Sequence, residues 1–226
     1  MGAEDGCSDL VDLWRSVAAS GGRVALVMGD PVARPREPVL PGDVSLNELW
    51  GSIPGLVEWS ASTRGERWVE LLGGAASKGL VERLVYLGLG CGVAERLGDR
   101  VLMLYGCYSR ARCPRCGRRV YLRSAPAGAP RCPSCGAAMA PDFVPQGGLA
   151  ARRLLSEAVY EASVADLLVA CCLGGEALGV LLVGGAARLS GAPVALLGDD
   201  PVLGRVSSLR CRRGLEWVLE QLLSHS

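Results

Sequence analysis

The chain has 226 residues, of which half are apolar, and its formal net charge at pH 7 is +1. Such a chain can bury one core, or one core and a small satellite, and it is too apolar to be disordered. A net charge near zero argues against general electrostatic binding of nucleic acid by the whole chain. The ten Cys, with the metal-type spacing described below, fit a reducing compartment. Acidic residues interrupt the first ten positions, which argues against a signal peptide, so we expect a cytoplasmic protein.

Short apolar runs alternate with amphipathic stretches along the chain. Apolar residues at helical spacing predict a first helix that ends at Gly21-Gly22, and residues 46–77 are predicted to be helical in pieces. Strands are predicted at 23–28, 83–87, 101–105, 142–144, 166–171 and 194–197, and further helices at 149–162, 176–189 and 214–223. This alternation predicts an α/β fold with a Rossmann-like parallel sheet and helices on both faces. The longest apolar stretch, 167–187, contains Glu176 and many Gly, so we interpret it as strand, loop and helix, not as a membrane span.

Two Cys-x-x-Cys pairs stand between the predicted strands at 101–105 and 142–144. Their four Cys are Cys113, Cys116, Cys132 and Cys135, and fifteen residues separate the pairs. This spacing predicts a tetrahedral four-thiolate zinc site of structural type, because four sulfurs leave no coordination position for water or substrate. The alternative interpretations are a pair of disulfides or four unrelated thiols. We expect a zinc-ribbon domain at 107–141, possibly joined by part of 40–78, inserted into a large domain of residues 1–106 and 142–226.

The order of these parts resembles the sirtuins, which are NAD-dependent protein-lysine deacylases. The resemblance rests on Tyr105-Gly106 before the zinc module, on Pro141-Asp142-Phe143-Val144 after it, and on later stretches at 165–169 and 191–201. It covers about 84–201. It implies that NAD lies across the carboxyl edge of the sheet and that an acyl-lysine enters between the two domains.

The residues at the positions of the family's catalytic and nucleotide motifs differ from those motifs. The catalytic His, the general base toward the ribose in sirtuins, is replaced by Tyr105, and the only His of the chain is His225. A phenol with the ordinary pKa of about 10 is a poor base at neutral pH. The Gly-Ala-Gly phosphate turn is replaced by Gly29-Asp30-Pro31, in which the acid repels a phosphate and Pro lacks an N–H group.

Further positions of the implied NAD site have also lost their polar side chains. The Gln-Asn-x-Asp motif falls at Gly88, Leu89 and Cys91, the Gly-Thr-Ser turn at Cys172-Leu173-Gly174, and the last Asn at Gly198. Gly29 and Gly174 remain as candidate cofactor contacts. The Gly-rich runs 88–92 and 173–176 are candidate phosphate cradles, although the abundance of Gly in the chain favours chance turns as their explanation.

Other clusters are open to more than one interpretation. Cys171-Cys172 are either redox-active vicinal thiols or buried small apolar residues, Cys91 is a candidate nucleophile without a His partner, and Asp199-Asp200 are a candidate cation site or a solvated loop. Seven Arg, and no acid, lie between residues 110 and 141. They suggest either contact with phosphates or an acidic protein, or a solvated small domain whose Arg residues pair with acids elsewhere in the chain. The seven are Arg110, Arg112, Arg115, Arg118, Arg119, Arg123 and Arg131.

Three functional hypotheses follow. The first is a degenerate sirtuin-like zinc protein without standard deacylase activity, which acts by binding a ligand or a partner. The second is an NAD-dependent deacylase or ADP-ribosyltransferase with a non-standard site. The third is contact with nucleic acid or a ribonucleoprotein through the basic zinc module. The expected cofactor is Zn; NAD is implied by the resemblance alone and opposed by the replaced side chains.

Overall fold

The structure is a computed structural model that describes residues 6–31, 35–38, 44–145, 148–173 and 177–224 of the chain, the side chains of residues 177 and 187 excepted. In this part of the chain, eight α-helices and nine strands follow one another. The helices are α1 (Cys7–Ala19), α2 (Leu46–Ser52), α3 (Pro54–Ser62), α4 (Arg67–Ser77), α5 (Gly92–Leu97), α6 (Arg152–Ser163), α7 (Ala177–Ser190) and α8 (Leu215–Ser224).

The strands divide between two sheets. The large sheet contains β1 (Val24–Met28), β2 (Arg83–Tyr86), β3 (Val101–Met103), β7 (Leu167–Cys171), β8 (Val194–Leu197) and β9 (Leu209–Cys211). Its order is β3-β2-β1-β7-β8-β9 and every pairing is parallel, as the alternating pattern predicts. The chain leaves β1 toward β2 on one side and later returns to β7 on the other. The carboxyl ends of β1 and β7 therefore form the topological switch point, where open α/β sheets bind ligands.

Helices cover both faces of the large sheet, as predicted. On one face α1, α4, α5 and α8 build a core around three fully buried aromatic side chains, Trp14, Trp68 and Tyr86. On the other face α6 and α7 pack on the sheet through small and branched side chains such as Ala158 and Val183. The central strands β1 and β7 are buried along their whole length, which explains their continuous apolar sequences.

The second sheet is small and antiparallel. It contains β4 (Gly106–Arg112), β5 (Arg119–Tyr121) and β6 (Ala140–Phe143) in the order β5-β4-β6, and the two Cys pairs lie between β4 and β6. A third core lies beneath it, to which α2 and α3 contribute Trp50 and Val57. The indole of Trp50 donates a hydrogen bond of 2.8 Å to the carbonyl of Met139. We therefore propose that α2 and α3 complete the small domain.

Two disulfide bonds tie distant parts of the fold, and neither follows from the sequence pattern. Cys7 at the start of α1 is bonded to Cys211 in β9, 204 residues later. Cys91, before α5, is bonded to Cys107 in β4 and so joins the large sheet to the small one. The interpretation of Cys91 as a free nucleophile is wrong, because its sulfur is bonded and fully buried. Disulfides are unusual in a reducing compartment, although intracellular proteins of hyperthermophiles are an exception, so cytoplasmic localisation stays a prediction.

No helix within the described segments has the length and apolar character that a membrane crossing requires.

Candidate functional site

The four predicted zinc ligands converge at the tip of the small domain. The sulfur atoms of Cys113, Cys116, Cys132 and Cys135 all lie within 4.8 Å of one another. The shortest separations are 3.5 Å, between Cys113 and Cys135 and between Cys116 and Cys132. The alternative of two disulfides is wrong, because these separations are far longer than an S–S bond. Gly117 and Gly136 follow the two pairs with φ of 73° and 71°, which is the left-handed turn that places both sulfurs of a pair on one side.

These distances fit a zinc ion. A tetrahedron with zinc–sulfur bonds of about 2.3 Å has sulfurs roughly 3.8 Å apart, close to the separations in the cluster. Hydrogen bonds from the backbone N–H groups of Cys116 and Arg115 lower the pKa of Cys113 to about 6, so one ligand is already poised as a thiolate. With four protein ligands, zinc here would hold the two Cys turns together and would leave no position for substrate.

Gly29 at the switch point does not present a free amide. Its N–H donates to the carbonyl of Cys171 at 3.3 Å, which extends the β1–β7 ladder by one bond. A Cβ atom at this position would lie 2.4 Å from the carbonyl oxygen of Cys172. Glycine is therefore required for the close approach of two backbones, a structural role that is sufficient to explain the residue.

The carboxylate of Asp30 occupies the neighbouring space at the end of β1. It accepts hydrogen bonds from the backbone N–H of Leu89 at 2.9 Å and of Gly90 at 3.4 Å, and from the hydroxyl of Tyr86. Burial of Tyr86, together with the charge of Asp30, raises the pKa of this phenol well above its usual value, so it stays a neutral donor. The carboxylate of Asp30 therefore occupies the position at the carboxyl edge of the sheet toward which the N–H groups of Leu89 and Gly90 point.

The glycines of 88–92 serve this packing. A Cβ at Gly88 would lie 2.4 Å from Asp30 Oδ1, and one at Gly92 would lie 2.5 Å from the carbonyl oxygen of Thr63. The first residues of α5 therefore pack against the protein itself, and α5 has only six residues. Close packing, not a phosphate, accounts for this run.

Tyr105 lies between the two sheets, two residues after β3 and directly before β4. Its half-buried ring contacts both the core under α6 and the core of the small domain, and its carbonyl accepts a hydrogen bond of 2.8 Å from the N–H of Val144. It lines a cavity of about 540 Å³ that opens between the small sheet and α6. The structure thus places Tyr105 at the junction of the two sheets.

Cys171 and Cys172 end β7 beside Asp30. Cys171 is fully buried, and its hydrogen bond with Cys172 and its burial raise its pKa well above the usual value of a thiol. Cys172 is half-buried and has a φ of 56°, the only positive φ of a non-glycine residue among those described. The hydrogen bond from Cys171 lowers the pKa of Cys172. Of the two alternatives, that of a buried small apolar residue holds for Cys171. Cys172 has the partial exposure and the lowered pKa that are typical of a reactive thiol.

A second cavity, of about 410 Å³, lies at the carboxyl ends of β7 and β8 and is lined by Cys172, Leu173 and Gly198. Asp200 borders it and accepts hydrogen bonds from the N–H groups of Val202 and Leu203 at 2.9 and 3.0 Å. Asp199 is exposed and lies 3.8 Å from a guanidinium nitrogen of Arg212. These partners support the solvated-loop interpretation of the two acids.

Gly174, the candidate cofactor contact, Glu176 and His225 lie outside the described residues.

The arginines of the zinc module have few acidic partners. Arg110 and Arg119 share one carboxylate, that of Asp142, at 2.6 and 2.9 Å. Four others are exposed and form neither an ion pair nor a side-chain hydrogen bond with any residue that the structure describes; these are Arg112, Arg115, Arg118 and Arg123. Within the described ranges, these four side chains are therefore not neutralised by ion pairs with acids elsewhere in the chain.

Sequence reasoning missed several residues of the switch point. The donor role of Tyr86 and the backbone donors at Leu89 and Gly90 depend on β1 and β2 being neighbours, which no local pattern reveals. Glu37 was also missed: its carboxylate accepts a hydrogen bond from the hydroxyl of Tyr108 and so joins the loop after β1 to the small domain.

Comparisons with solved structures match nearly the whole chain. A mutant Sir2 homologue in complex with ADP-ribose superimposes with a TM-score of 0.65 at 17% identity, over 95% of both chains. A Sir2 homologue in complex with NAD gives 0.62 at 18% identity, over 96% of this chain and 93% of that chain. A mutant Sir2 with a p53 peptide and NAD gives 0.62 at 18% identity, over 96% and 97%.

No protein-family profile and no curated protein matches the sequence. Likeness at this level of identity defines the fold, and the chain has the sirtuin fold: a parallel α/β sheet with a small inserted domain that carries a four-Cys cluster. The expectation drawn from the order of the parts is confirmed at this level.

Proposed function

We propose that this chain is a sirtuin-fold zinc protein that lacks standard NAD-dependent lysine deacylation and acts by binding a ligand or a partner. The observation that carries this proposal is the position of Asp30. Its carboxylate accepts hydrogen bonds from the N–H groups of Leu89 and Gly90 at the carboxyl edge of the sheet. Backbone N–H groups at such an edge are what a pyrophosphate needs, and here they already have an anionic partner.

The cost of admitting a phosphate at this place supports the proposal. A ligand anion would have to displace the Asp30 carboxylate, or else bind close to it against electrostatic repulsion between the two negative charges. Displacement would also leave the buried hydroxyl of Tyr86 without this acceptor, and an unsatisfied buried polar group costs about 1–3 kcal/mol. The amide of Gly29 is likewise engaged, by the carbonyl of Cys171.

The residue at the family's general-base position supports the same conclusion. Tyr105 would have to accept a proton from a ribose hydroxyl, and a phenol of ordinary pKa holds its own proton at neutral pH. The amide and carboxylate side chains that would orient nicotinamide and ribose are replaced by Gly88, Leu89 and Cys91, and the last of these is bonded to Cys107. Proton transfer and orientation of the cofactor would therefore both be impaired.

A deacylation assay tests the proposal. Purified zinc-loaded chain is incubated with NAD and an acetyl-lysine peptide, and release of nicotinamide is measured. We expect no turnover by the wild type, and none by Tyr105→His, because a restored imidazole does not remove Asp30 from the N–H groups. Turnover by the wild type that Tyr105→Phe abolishes would support the alternative function, an NAD-dependent deacylase or ADP-ribosyltransferase with a non-standard site.

A second candidate function is contact with nucleic acid or a ribonucleoprotein through the zinc module. The four unpaired, exposed arginines of the module favour it, because the chain as a whole is almost neutral and the positive charge is concentrated here. Retention on immobilised nucleic acid should then fall steeply with salt. Retention that does not respond to salt, or no retention at low salt, would contradict this candidate.

A further inference from the structure

One face of the small sheet combines arginine side chains with an exposed aromatic ring. In the antiparallel pairing of β4 with β5, Arg110 lies opposite Tyr121 and Arg112 lies opposite Arg119. The pair between them, Ala111 and Val120, belongs to the core of the small domain. Because side chains alternate along a strand, the other four project from the opposite face. We call Arg110, Arg112, Arg119 and Tyr121 the basic sheet face.

The basic sheet face borders a continuous groove between the two sheets. Two adjoining cavities, of about 540 and 650 Å³, share Met103, Arg110, Arg119 and Leu154 in their walls. The large-sheet side of the groove is formed by β3, which is the edge strand of that sheet in the described part of the chain. The groove is thus long, open and lined by the edge of one sheet and the face of another.

Positive charge is in excess in the first cavity of the groove, and this excess favours an anion. The first cavity is lined by four guanidinium groups, the fourth from Arg153 at the start of α6, and by the two carboxylates of Asp142 and Glu157. Asp142 already serves both Arg110 and Arg119, so one carboxylate neutralises at most one of these two cations. The second cavity has the acids Glu95 and Asp99, of which the first is ion-paired with Arg64.

Tyr121 adds a surface on which a flat group can stack. Its side chain is 39% exposed, and the guanidinium of Arg110 lies 5.8 Å from the centre of its ring. A positively charged groove with an exposed ring is the arrangement that binds single-stranded nucleic acid, in which phosphates follow the arginines and an unpaired base stacks on the ring. The bases of a duplex are already stacked on one another and cannot do so.

We propose that the basic sheet face and its groove form a binding site for single-stranded nucleic acid. This inference rests on the second candidate function above, and it names the surface and the kind of strand. An acidic peptide could pair with the arginines, but its affinity would not depend on an aromatic ring, so the dependence on Tyr121 separates the two partners.

The test measures fluorescence anisotropy of a labelled oligothymidylate with the full zinc-loaded chain across a salt series. Asp142 neutralises one of Arg110 and Arg119, so three arginine charges of the groove remain for phosphates, and the plot of log K against log salt should have a slope of about −2. Arg112→Ala should reduce the slope by about 0.7. Tyr121→Ala should weaken binding roughly 5- to 100-fold, whereas Tyr121→Phe, which keeps the ring, should bind like the wild type. Arg188→Ala, on the exposed side of α7, is the matched control and should change neither quantity.

The outcomes separate the inference from the function on which it rests. Binding that survives Tyr121→Ala and Arg112→Ala but is lost on replacing Arg115, Arg118 and Arg123 would overturn the proposed face and leave the second candidate function standing. Preference for a duplex of the same length would also overturn it. No salt-dependent binding by the wild type would refute both, and competition by oligoglutamate alone would assign the groove to an acidic protein.

Discussion

The bond between Cys7 and Cys211 should be the largest single covalent contribution to the stability of this fold. It closes a loop of 204 residues and ties α1 to the last strand of the large sheet. In the chain-entropy model, a cross-link of this span stabilises the folded state by about 5 kcal/mol at 25 °C. The bond between Cys91 and Cys107 spans 16 residues, which corresponds to about 3 kcal/mol in the same model. The two bonds should therefore differ by about 2 kcal/mol.

Each bond can be isolated by removing the other. In a Cys91→Ala, Cys107→Ala background, the oxidised and reduced proteins differ only in the long cross-link, and a Cys7→Ala, Cys211→Ala background isolates the short one. For a chain of this size, 1 kcal/mol shifts Tm by about 2–4 °C, so reduction of the long cross-link should lower Tm by roughly 10–20 °C. The assay is reversible denaturant or thermal unfolding of zinc-loaded protein, with and without a phosphine reductant.

Two results would refute this reasoning. Titration of thiols in the unfolded, unreduced protein should find six free Cys, because four of the ten are bonded; ten free thiols would mean that neither bond forms. Equal destabilisation in the two backgrounds would show that loop length does not set the contribution, and that strain or residual structure of the unfolded chain does.

Three further predictions concern the metal, a thiol and a buried carboxylate. Cys116→Ser should reduce bound zinc from about one equivalent per chain to almost none by elemental analysis, and a chelator should do the same to the wild type; full zinc content in the variant would contradict a four-Cys site. Alkylation of Cys172 should show a pH midpoint below the usual thiol pKa of 9.0, since a lowered pKa gives more thiolate at lower pH, and Cys171→Ala should return the midpoint upward by removing the donor; an unchanged midpoint in that variant would show that the hydrogen bond is not the cause. Glu161→Gln should destabilise the fold by about 1–3 kcal/mol in denaturant unfolding, because this buried carboxylate pairs with two arginines at the starts of β1 and β2, whereas the exposed Glu216→Gln should have almost no effect; equal effects would contradict the assigned role.

The local spacing of residues in the sequence was sufficient to predict the metal cluster and most strands of the large sheet. The ligands of the cluster lie in two short turns within twenty-three residues, so the metal site can be identified from this segment alone. The buried strands are continuous apolar runs, which can be identified without knowing which strands lie beside them. The strands of the small sheet were largely missed, because β5 has only three residues and carries two polar positions. The last strand, β9, is equally short and has Arg210 at its centre.

Contacts between distant segments could not be predicted from the sequence. The pairing of Cys7 with Cys211 requires that the first helix and the last strand meet, which is a property of the topology alone. The role of Asp30 was foreseen only as a repulsive charge. Its actual partners are Tyr86, in the adjacent strand β2, and the N–H of Leu89, in the turn after that strand, and their hydrogen bonds make the carboxylate part of the folded structure. The pairing of Arg110 with Tyr121 likewise depends on the register of β4 and β5.

A carboxylate of the protein itself, that of Asp30, accepts hydrogen bonds from the N–H groups at the switch point where an anion would bind. Calorimetric titration of zinc-loaded wild type and Asp30→Gly with ADP-ribose and then NAD tests most directly whether this carboxylate keeps an anion out, with Glu216→Gln as a charge-matched surface control. We expect no detectable heat for the wild type or the control at millimolar ligand, and measurable binding by Asp30→Gly, because the N–H groups of Leu89 and Gly90 are then free. Micromolar binding by the wild type would contradict this exclusion, because the ligand would then be held with Asp30 in place.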